Sequence, residues 1–183
     1  MHPPLETARL ILQPLELSDA AQIQALFPQW EIVRHLQNVV PWPYPPDGAE
    51  TFNRRALMET EKGNAWHWTI RVKDHPEQLI GAIGLMKTGA GNRGFWIAPP
   101  WQRHGYAFEA CEAVTEYWFE VLKFEKLRVP KAADNVASRR ISEKQGMRLV
   151  EVVESDYVSG RLKTEVWEIT REEWRKTRGS SRA

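Results

Sequence analysis

The sequence lacks the features that mark secreted, membrane-spanning and DNA-binding chains. It contains one cysteine, Cys111, so no disulfide can form within the chain. The amino terminus has no basic segment followed by an apolar core, and no run of about 18 apolar residues occurs. Its 25 basic and 24 acidic residues leave a formal charge of +1, which gives no broad field for DNA. These absences predict a cytoplasmic protein with no DNA and no membrane among its partners.

Metal-ligand clusters and domain boundaries are absent from the sequence as well. The histidines and the cysteine do not fall at metal-ligand spacing, so no metal site is expected. No Gly/Ser-rich linker, composition shift or internal repeat divides the 183 residues. We therefore predict a single domain over residues 1–183, with its core at about 5–172. The basic tail at 173–183 is expected to be a frayed terminus, and an RNA-binding arm is the alternative.

The spacing of apolar residues predicts alternating strands and helices. In the segment from Ala65, alternate residues from Trp66 to Val72 share one face of a strand, and those from His67 to Arg71 share the other. Ser18 is the predicted cap of the first helix. The predicted elements are a strand at 8–13, helices at 19–27, 30–37 and 48–62, strands at 65–72, 79–87 and 92–98, a helix at 105–123, a strand at 127–132, a helix at 136–145 and two further strands.

The segment 105–123 has the clearest amphipathic pattern in the chain. Its apolar residues fall within an arc of about 100° on a helix, and its glutamates fall on the opposite face. We predict one buried stripe, in which Cys111 packs as an apolar residue, and a solvated acidic face. The stripe consists of Ala107, Cys111, Val114, Trp118, Val121 and Leu122, and the acidic face of Glu109, Glu112, Glu116 and Glu120.

A turn of small residues precedes this helix. Residues 102–107 read Gln-Arg-His-Gly-Tyr-Ala, and the strand before them stops at Pro99 and Pro100. A strand end followed by a turn and a helix start leaves several backbone N–H groups unpaired, and the helix dipole favours an anion there. Gly105 and Ala107 keep these amides accessible because they are small. The turn predicts a pyrophosphate cradle, and a plain connection is the structural alternative.

Several motifs in one order carry a resemblance to a known family. They are Gly94-Phe95-Trp96-Ile97, Gln102-x-x-Gly105-x-Ala107 leading to Glu109-Ala110, Asn135-Val136-Ala137-Ser138-Arg139, and Lys144-Gln145-Gly146-Met147. Together they resemble the GCN5-related N-acetyltransferases (GNAT), and within them the ribosomal-protein N-terminal acetyltransferases of the RimJ/RimL type. Residues 5–15 and 41–45 also resemble that branch, so the similarity covers almost the whole chain. Gln13, where the branch usually has arginine, and Ala107, where many relatives have glycine, depart from the pattern.

The resemblance implies an α/β (α+β) fold of the GNAT type. Its central sheet is mixed but mostly antiparallel, with about seven strands splayed at the acyl-CoA cleft and about four flanking helices. A helix separates the strand at 127–132 from the one ending at Ala98, which predicts that the two run parallel. Pro130 cannot donate into a sheet ladder. A position at the splayed edge would tolerate it, and a bulge is the alternative.

The resemblance also implies acetyl-CoA as the acyl donor and assigns residues to it. The turn would bind the pyrophosphate, the end of the preceding strand and Asn135 would contact the pantetheine arm, and basic side chains, including Arg139, would contact the outer phosphates. The predicted cofactor-binding residues are Trp96, Ile97, Ala98, Gln102, Arg103, His104, Gly105, Tyr106, Ala107, Asn135, Ser138 and Arg140.

Two residues are the predicted catalytic groups by the same resemblance. Ser138, at the family's N-x-x-S spacing from Asn135, would donate to the leaving thiolate. Asp156 matches the carboxylate that activates the amine through water in the ribosomal branch. Local structure offers alternatives: Asn135 can simply cap the helix at 136–145, which Gly146 ends, and Asp156 can simply form a turn.

The acceptor is the least constrained part of the prediction. Aromatic residues and a histidine are expected around the thioester end of the cleft, and they are His35, Trp42, Tyr44, Trp68 and Trp96. We expect an amine substrate, either a protein N-terminus or a small molecule such as an amino acid, polyamine or aminoglycoside. A non-catalytic acyl-CoA-binding module is the alternative of another class. Either a monomer or a homodimer is compatible with the sequence.

Overall fold

The structure is a computed structural model, and it describes residues 2–89 and 91–180. The strands are β1 (Leu5–Glu6), β2 (Leu10–Pro14), β3 (Ala65–Val72), β4 (His75–Met86), β5 (Arg93–Ile97), β6 (Lys126–Ala132), β7 (Arg148–Tyr157) and β8 (Gly160–Thr170). The α-helices are α1 (Ala20–Leu26), α2 (Trp30–Val33), α3 (Gly48–Glu61), α4 (Tyr106–Glu116), α5 (Val136–Lys144) and α6 (Arg171–Ser180). The mixed α/β fold is as predicted, with six α-helices in the described residues where the resemblance implied about four, and α6 is the one that was not predicted.

The strands form two antiparallel sheets that separate between β5 and β6. The larger sheet has the order β1-β2-β3-β4-β5, and the smaller has the order β6-β8-β7. Asn92 joins the two: its backbone N–H donates to the Arg128 carbonyl at 2.7 Å, and its Oδ1 accepts from the Arg128 N–H at 2.9 Å. Beyond this contact, no ladder joins β5 to β6 among the described residues. The splayed sheet is confirmed, and the two strands do not form a parallel ladder.

Pro130 lies on an edge strand, which decides between the two alternatives for it. β6 has a single neighbour in its sheet, β8, and the register is continuous through Pro130 and its partner Val166. The missing N–H of proline therefore costs no ladder hydrogen bond on the open side. The edge prediction is confirmed, and β6 has no bulge at this position.

The main core lies between the sheets and α4, and it contains the predicted stripe with one exception. Cys111 and Val114 are fully buried and Trp118 is 1% exposed, whereas Val121 is 58% exposed. Val121 ends a π-helical turn at Tyr117–Val121 that follows α4. This turn is wider than an α-helical one, so the helical projection no longer holds there. Burial raises the pKa of the Cys111 thiol, in agreement with a packing role.

The first helices begin and end differently from the predictions. Ser18 does not cap α1, because it lies within a 3-10 turn at Leu17–Asp19. The backbone N–H of Glu16 donates to Asp19 Oδ2 at 2.8 Å, as part of a capping box between these two residues. The helix predicted at 30–37 is limited to the single turn Trp30–Val33, and the chain then follows the β7–β8 hairpin.

Residues Arg171–Ser180 of the carboxyl-terminal tail form helix α6, and the fraying expected at 173–183 stays a prediction. Trp174 of α6 is 4% exposed. Arg178 and Arg175 form ion pairs at 2.8 Å with Glu116 and Glu120 of the acidic face of α4. That face is therefore partly covered by α6 and not simply solvated. Residues 181–183 of the predicted tail lie outside the described residues.

The amino-terminal residues form a strap across β3. His2 Nε2 lies 2.9 Å from the His67 carbonyl oxygen, and the Trp68 indole N–H donates to the Pro3 carbonyl at 3.0 Å. The His67 ring lies against Gly84, where a Cβ would come within 2.4 Å of His67 Nδ1. Burial lowers the pKa of His67 to about 4 and also lowers the pKa of His2. Both imidazoles are therefore neutral in the folded protein at pH 7.

We expect these histidines to make the fold sensitive to acid. The unfolded chain binds a proton at His67 near pH 6.5, but the folded chain binds it only near pH 4. Stability contributed by neutral His67 is thus complete above pH 6.5 and is lost as the pH falls towards 4, by at most about 3 kcal/mol. Urea unfolding between pH 7 and 4.5 should show a smaller acid loss for His67→Gln than for the parent. An identical acid loss in this variant, with the exposed His75→Gln as control, would contradict the assignment.

Candidate active site

The turn between β5 and α4 has the backbone geometry of an anion site. After Ile97, a 3-10 turn at Pro99–Trp101 leads to Arg103 and Gly105, which have φ values of 65° and 83°. Gly105 is the N-cap of α4, so the positive end of the helix dipole lies at the turn. Glycine adopts this left-handed conformation without strain.

The amides of this turn are available to a ligand. Within the described residues, no backbone N–H from residue 103 to residue 108 donates to a protein acceptor. The first amide of α4 to be paired is that of Glu109, which donates to the Gly105 carbonyl at 3.1 Å. A run of unpaired amides at a helix start, next to positive-φ residues, is a nest for an anionic group.

Arg9 holds the turn from the outside. Its guanidinium lies 4.7 Å from the centroid of the Tyr106 ring, donates to the His104 carbonyl at 2.9 Å and pairs with Glu109 at 2.7 Å. Burial raises the pKa of Glu109, but hydrogen bonds from Thr7 and Arg9 outweigh it and lower the pKa. The sequence patterns did not single out Arg9, although it lies in the 5–15 segment that resembles the family.

The predicted pantetheine residues lie on the edge of the larger sheet. Trp96 and Ile97 belong to β5, whose outer edge faces β6 without pairing to it. Ala98 is fully buried, and its N–H donates to the Ile80 carbonyl at 2.9 Å. Gln102 Nε2 donates to the Ile97 carbonyl at 2.8 Å. Gln102 therefore ties the turn to the strand end, a role that the sequence did not predict for it.

Asn135 and Ser138 are brought together at the start of α5. Asn135 Oδ1 accepts from the Ser138 N–H at 3.2 Å, so Asn135 is the N-cap that the sequence predicted. The Ser138 hydroxyl makes no hydrogen bond within the part of the chain that the structure describes. Gly146, with φ of 71°, follows the helix as the predicted stop.

Two buried cations fix α5 against the sheets. Lys131 Nζ donates to the Ser138 carbonyl at 3.0 Å and to Ser142 Oγ. Arg93 donates to Gln145 Oε1 at 2.8 Å. Burial, and then the charge of Arg93, lower the pKa of Lys131 to about 7. In the sequence, the signal for this cluster is the position of Lys131 within the strand β6. Only the structure shows that this position is buried.

The predicted acceptor residues are only partly brought together. Trp42 lies 5.8 Å from Trp30, and both rings are exposed. Tyr44 and Trp96 both pack on Phe27, at 5.0 and 5.3 Å. Trp68 does not line a cleft. It lies on the face of β3 that packs into the main core, where it is fully buried. Tyr44 and Trp96 pack against a second, smaller cluster of buried residues, which consists of Leu15, Ile23, Phe27, Ile32, Val33, Ala49, Ala56 and Leu79.

His35 lies in the segment after α2, close to the loop that follows β6. Its Nε2 is 3.2 Å from Asp134 Oδ1. Asp156 follows in the adjacent hairpin, where its carboxylate is 57% exposed and 4.0 Å from Arg161 Nη1. Tyr157, the next residue, is buried and its hydroxyl is 2.8 Å from Thr164 Oγ1. Asp156 therefore points to the solvent side of β7, and its catalytic role stays a prediction.

The basic residues predicted for the outer phosphates fall into two groups. Arg103, His104 and Arg140 are exposed and form no ion pair among the described residues. Arg139 lies between Glu143 at 3.3 Å and Glu165 at 3.6 Å, so it is already partnered. The three exposed residues are therefore free to contact phosphate oxygens. Because exposed charges are screened by salt, their contribution to binding would fall as the salt concentration rises.

Neither a metal site nor a membrane span is found in residues 2–89 and 91–180. No three His, Cys, Asp or Glu side chains are grouped as metal ligands there. None of the described helices is sufficiently long and apolar to cross a bilayer.

Comparison with known proteins identifies similar sequences. The family model described as an acetyltransferase (GNAT) domain matches residues 9–148. The chain is 33% identical over 154 residues to the uncharacterized N-acetyltransferase YoaA of Bacillus subtilis (strain 168), and the match covers 81% of this chain and 84% of YoaA.

Solved structures share the fold at much lower identity. RimJ of Mycobacterium smegmatis, in complex with CoA-disulfide, has a TM-score of 0.79 at 16% identity, covering 93% of this chain and 87% of that one. The ribosomal-protein-S5-alanine acetyltransferase of Vibrio fischeri has a TM-score of 0.80 at 12% identity, covering 94% and 99%.

Proposed function

Since the chain belongs to the GNAT acetyltransferase family, we propose that it transfers the acetyl group of acetyl-CoA to a protein N-terminal α-amine. The observation that carries the cofactor part is the run of unpaired amides at residues 103–108. These amides lie at the start of α4, next to the gap between β5 and β6. Backbone donors at a helix start bind phosphate groups without any side-chain charge.

Three features of the site support acetyl-CoA as its ligand. The nest would hold the pyrophosphate, and Arg103, His104 and Arg140 would supply positive charge at the outer phosphates. The facing edges of β5 and β6 have backbone groups free for an extended pantetheine arm. Asn135 and Ser138, at the start of α5, would lie at the thioester end.

Acetyl transfer in this site needs a neutral amine and a stabilised leaving group. The amine nitrogen attacks the thioester carbonyl carbon, and the C–S bond breaks as the thiolate leaves. The Ser138 hydroxyl, which has no protein partner in the described residues, would donate a hydrogen bond to the thiolate sulfur. Negative charge develops on sulfur only during the reaction, so this hydrogen bond acts mainly in the transition state.

An α-amine demands less of the enzyme than a lysine side chain does. With a pKa near 8, roughly a tenth of α-amines are neutral at pH 7, against about 0.04% of lysine amines. The name of one structural relative, a ribosomal-protein-S5-alanine acetyltransferase, agrees with a protein as the acceptor. A small-molecule amine is the alternative that the same experiment tests. Single-domain organisation over 1–183, a cytoplasmic location and a monomeric or dimeric state stay predictions.

A matched peptide screen tests the proposal. Each peptide is prepared in three forms: with a free α-amine, with a blocked α-amine and one free lysine, and with both amines blocked. The release of CoA from acetyl-CoA is measured for each form. Small amines form a parallel panel. We expect turnover with free α-amines and little with lysine alone. If only small amines are acetylated, the acceptor is a small molecule and not a protein N-terminus. If no amine is acetylated, the proposed enzyme activity is refuted.

A further inference from the structure

A contact between His35 and Asp134 connects the predicted acceptor side of the cleft with the predicted cofactor side. His35 lies in the segment after α2, and Asp134 lies in the loop from β6 to α5. Asp134 directly precedes Asn135, the N-cap of the helix that carries Ser138. The His35 side chain is only 12% exposed, whereas that of Asp134 is 63% exposed. The imidazole is therefore sheltered, and its partner lies close to the predicted thioester end.

The backbone on both sides of His35 is held by the β7–β8 hairpin. The Leu36 carbonyl accepts from the Val158 N–H at 2.9 Å. The Arg34 carbonyl accepts from Ser159 Oγ at 2.7 Å. The position of the imidazole is thus set by three elements: its own segment, the hairpin and the β6–α5 loop. A group fixed in this way is preorganised for proton transfer.

The Asp134 carboxylate faces one nitrogen of the His35 ring. Asp134 Oδ1 lies 3.2 Å from Nε2, and a nearby carboxylate favours a proton on that nitrogen. Nδ1 makes no hydrogen bond within residues 2–89 and 91–180. A carboxylate that holds one imidazole nitrogen leaves the other free to accept a proton. We infer that His35, held by Asp134, is the general base that deprotonates the acceptor ammonium.

This inference rests on the proposed function and completes its proton balance. Nδ1 of His35 takes one proton from the ammonium, and the freed electron pair forms the C–N bond to the acetyl carbon. The C–S bond then breaks, and the second amine proton passes to the thiolate, which accepts a hydrogen bond from Ser138. His35 returns its proton to solvent. The products are the acetylated amine, CoA thiol and one released proton.

The groups around His35 come from three parts of the chain. Asp134 faces it from the β6–α5 loop, and Tyr157 faces Asp134 from β7. Burial, with the charge of Asp134, raises the pKa of the Tyr157 phenol, so Tyr157 stays neutral. Glu31 and Arg34 are the charged neighbours on the same segment as His35. Asp134 is therefore the anion placed to stabilise the imidazolium formed in the reaction.

Kinetics of matched variants test the assignment, with His75→Gln, an exposed histidine beside a carboxylate, as control. For the amine identified by the peptide screen, we expect His35→Gln to lower kcat/KM about 100-fold at pH 7. Acetyl-CoA affinity should be unchanged, and the deficit should shrink as the pH rises and more amine is neutral. Imidazole should partly rescue His35→Ala. A deficit that is independent of pH and not rescued would overturn the role, as would a larger, pH-dependent deficit in Asp156→Asn.

A second measurement needs no acceptor. The ¹⁵N chemical shifts of neutral His35 should show a protonated Nε2 and an unprotonated Nδ1, and Asp134→Asn should weaken this preference. A protonated Nδ1 in the parent would overturn the inference. If the parent acetylates an amine and His35→Gln does so equally well at every pH, only the base assignment fails. If the parent acetylates no amine, the proposed function fails and the base assignment fails with it.

Discussion

Replacement of Gly105 with valine is expected to weaken CoA binding by about tenfold or more while the protein stays folded. Gly105 has a φ of 83°, a conformation that a β-branched residue adopts only with strain. A Cβ at this position would also lie 3.3 Å from Arg9 Nη2, the guanidinium that holds the turn. Valine therefore changes the direction of the amides that would bind the pyrophosphate. Isothermal titration calorimetry with CoA measures the effect directly.

The matched control for this variant is Gly63→Val. Gly63 has a φ of 69° after α3, and no atom lies within 4 Å of a Cβ placed there. This variant carries similar backbone strain at a distance from the turn, so it should lose stability but retain CoA affinity. If a folded Gly105→Val variant bound CoA as tightly as the parent, the cradle assignment would be refuted.

Substitution of Ser138 by alanine is expected to lower kcat about 100-fold with little change in acetyl-CoA affinity. The hydroxyl would act on a charge that develops on sulfur only in the transition state, so its loss raises the barrier without weakening ground-state binding. Single-turnover kinetics separate the chemical step from product release. The backbone contacts of Ser138, to Asn135 and Lys131, survive the substitution because they use its N–H and carbonyl groups.

Ser142→Ala is the informative comparison for this prediction. Ser142 lies on the same helix and accepts a hydrogen bond from Lys131, but it is fully buried. If α5 only needs to be held in place, Ser142→Ala should slow the reaction as much as Ser138→Ala does. We expect a much smaller effect on kcat. Equal kcat values for Ser138→Ala and the parent, with chemistry rate-limiting, would remove Ser138 from the mechanism.

Local patterns predicted the parts of the site that are formed by short stretches of chain. The start of α5 at Asn135 and its end at Gly146 follow from side-chain capping and positive φ, which depend on neighbouring residues alone. The predicted stripe of α4 failed only at Val121, where a π-helical turn breaks the projection. Helix α6 was not predicted, because composition does not show which residues are buried. Its basic residues suggested a frayed tail, whereas Trp174 packs in the core.

The sequence by itself determined the family motifs, the small-residue turn at 102–107 and the cap at Asn135, and it limited Pro130 to an open edge or a bulge. Each depends on spacing or on the covalent chemistry of one residue, so no distant contact is needed to establish it. Only the tertiary structure decided that Arg9 holds the turn and that His35 meets Asp134. These pairs join residues far apart in the chain, and their contacts depend on how the sheets and helices pack, which periodicity does not encode.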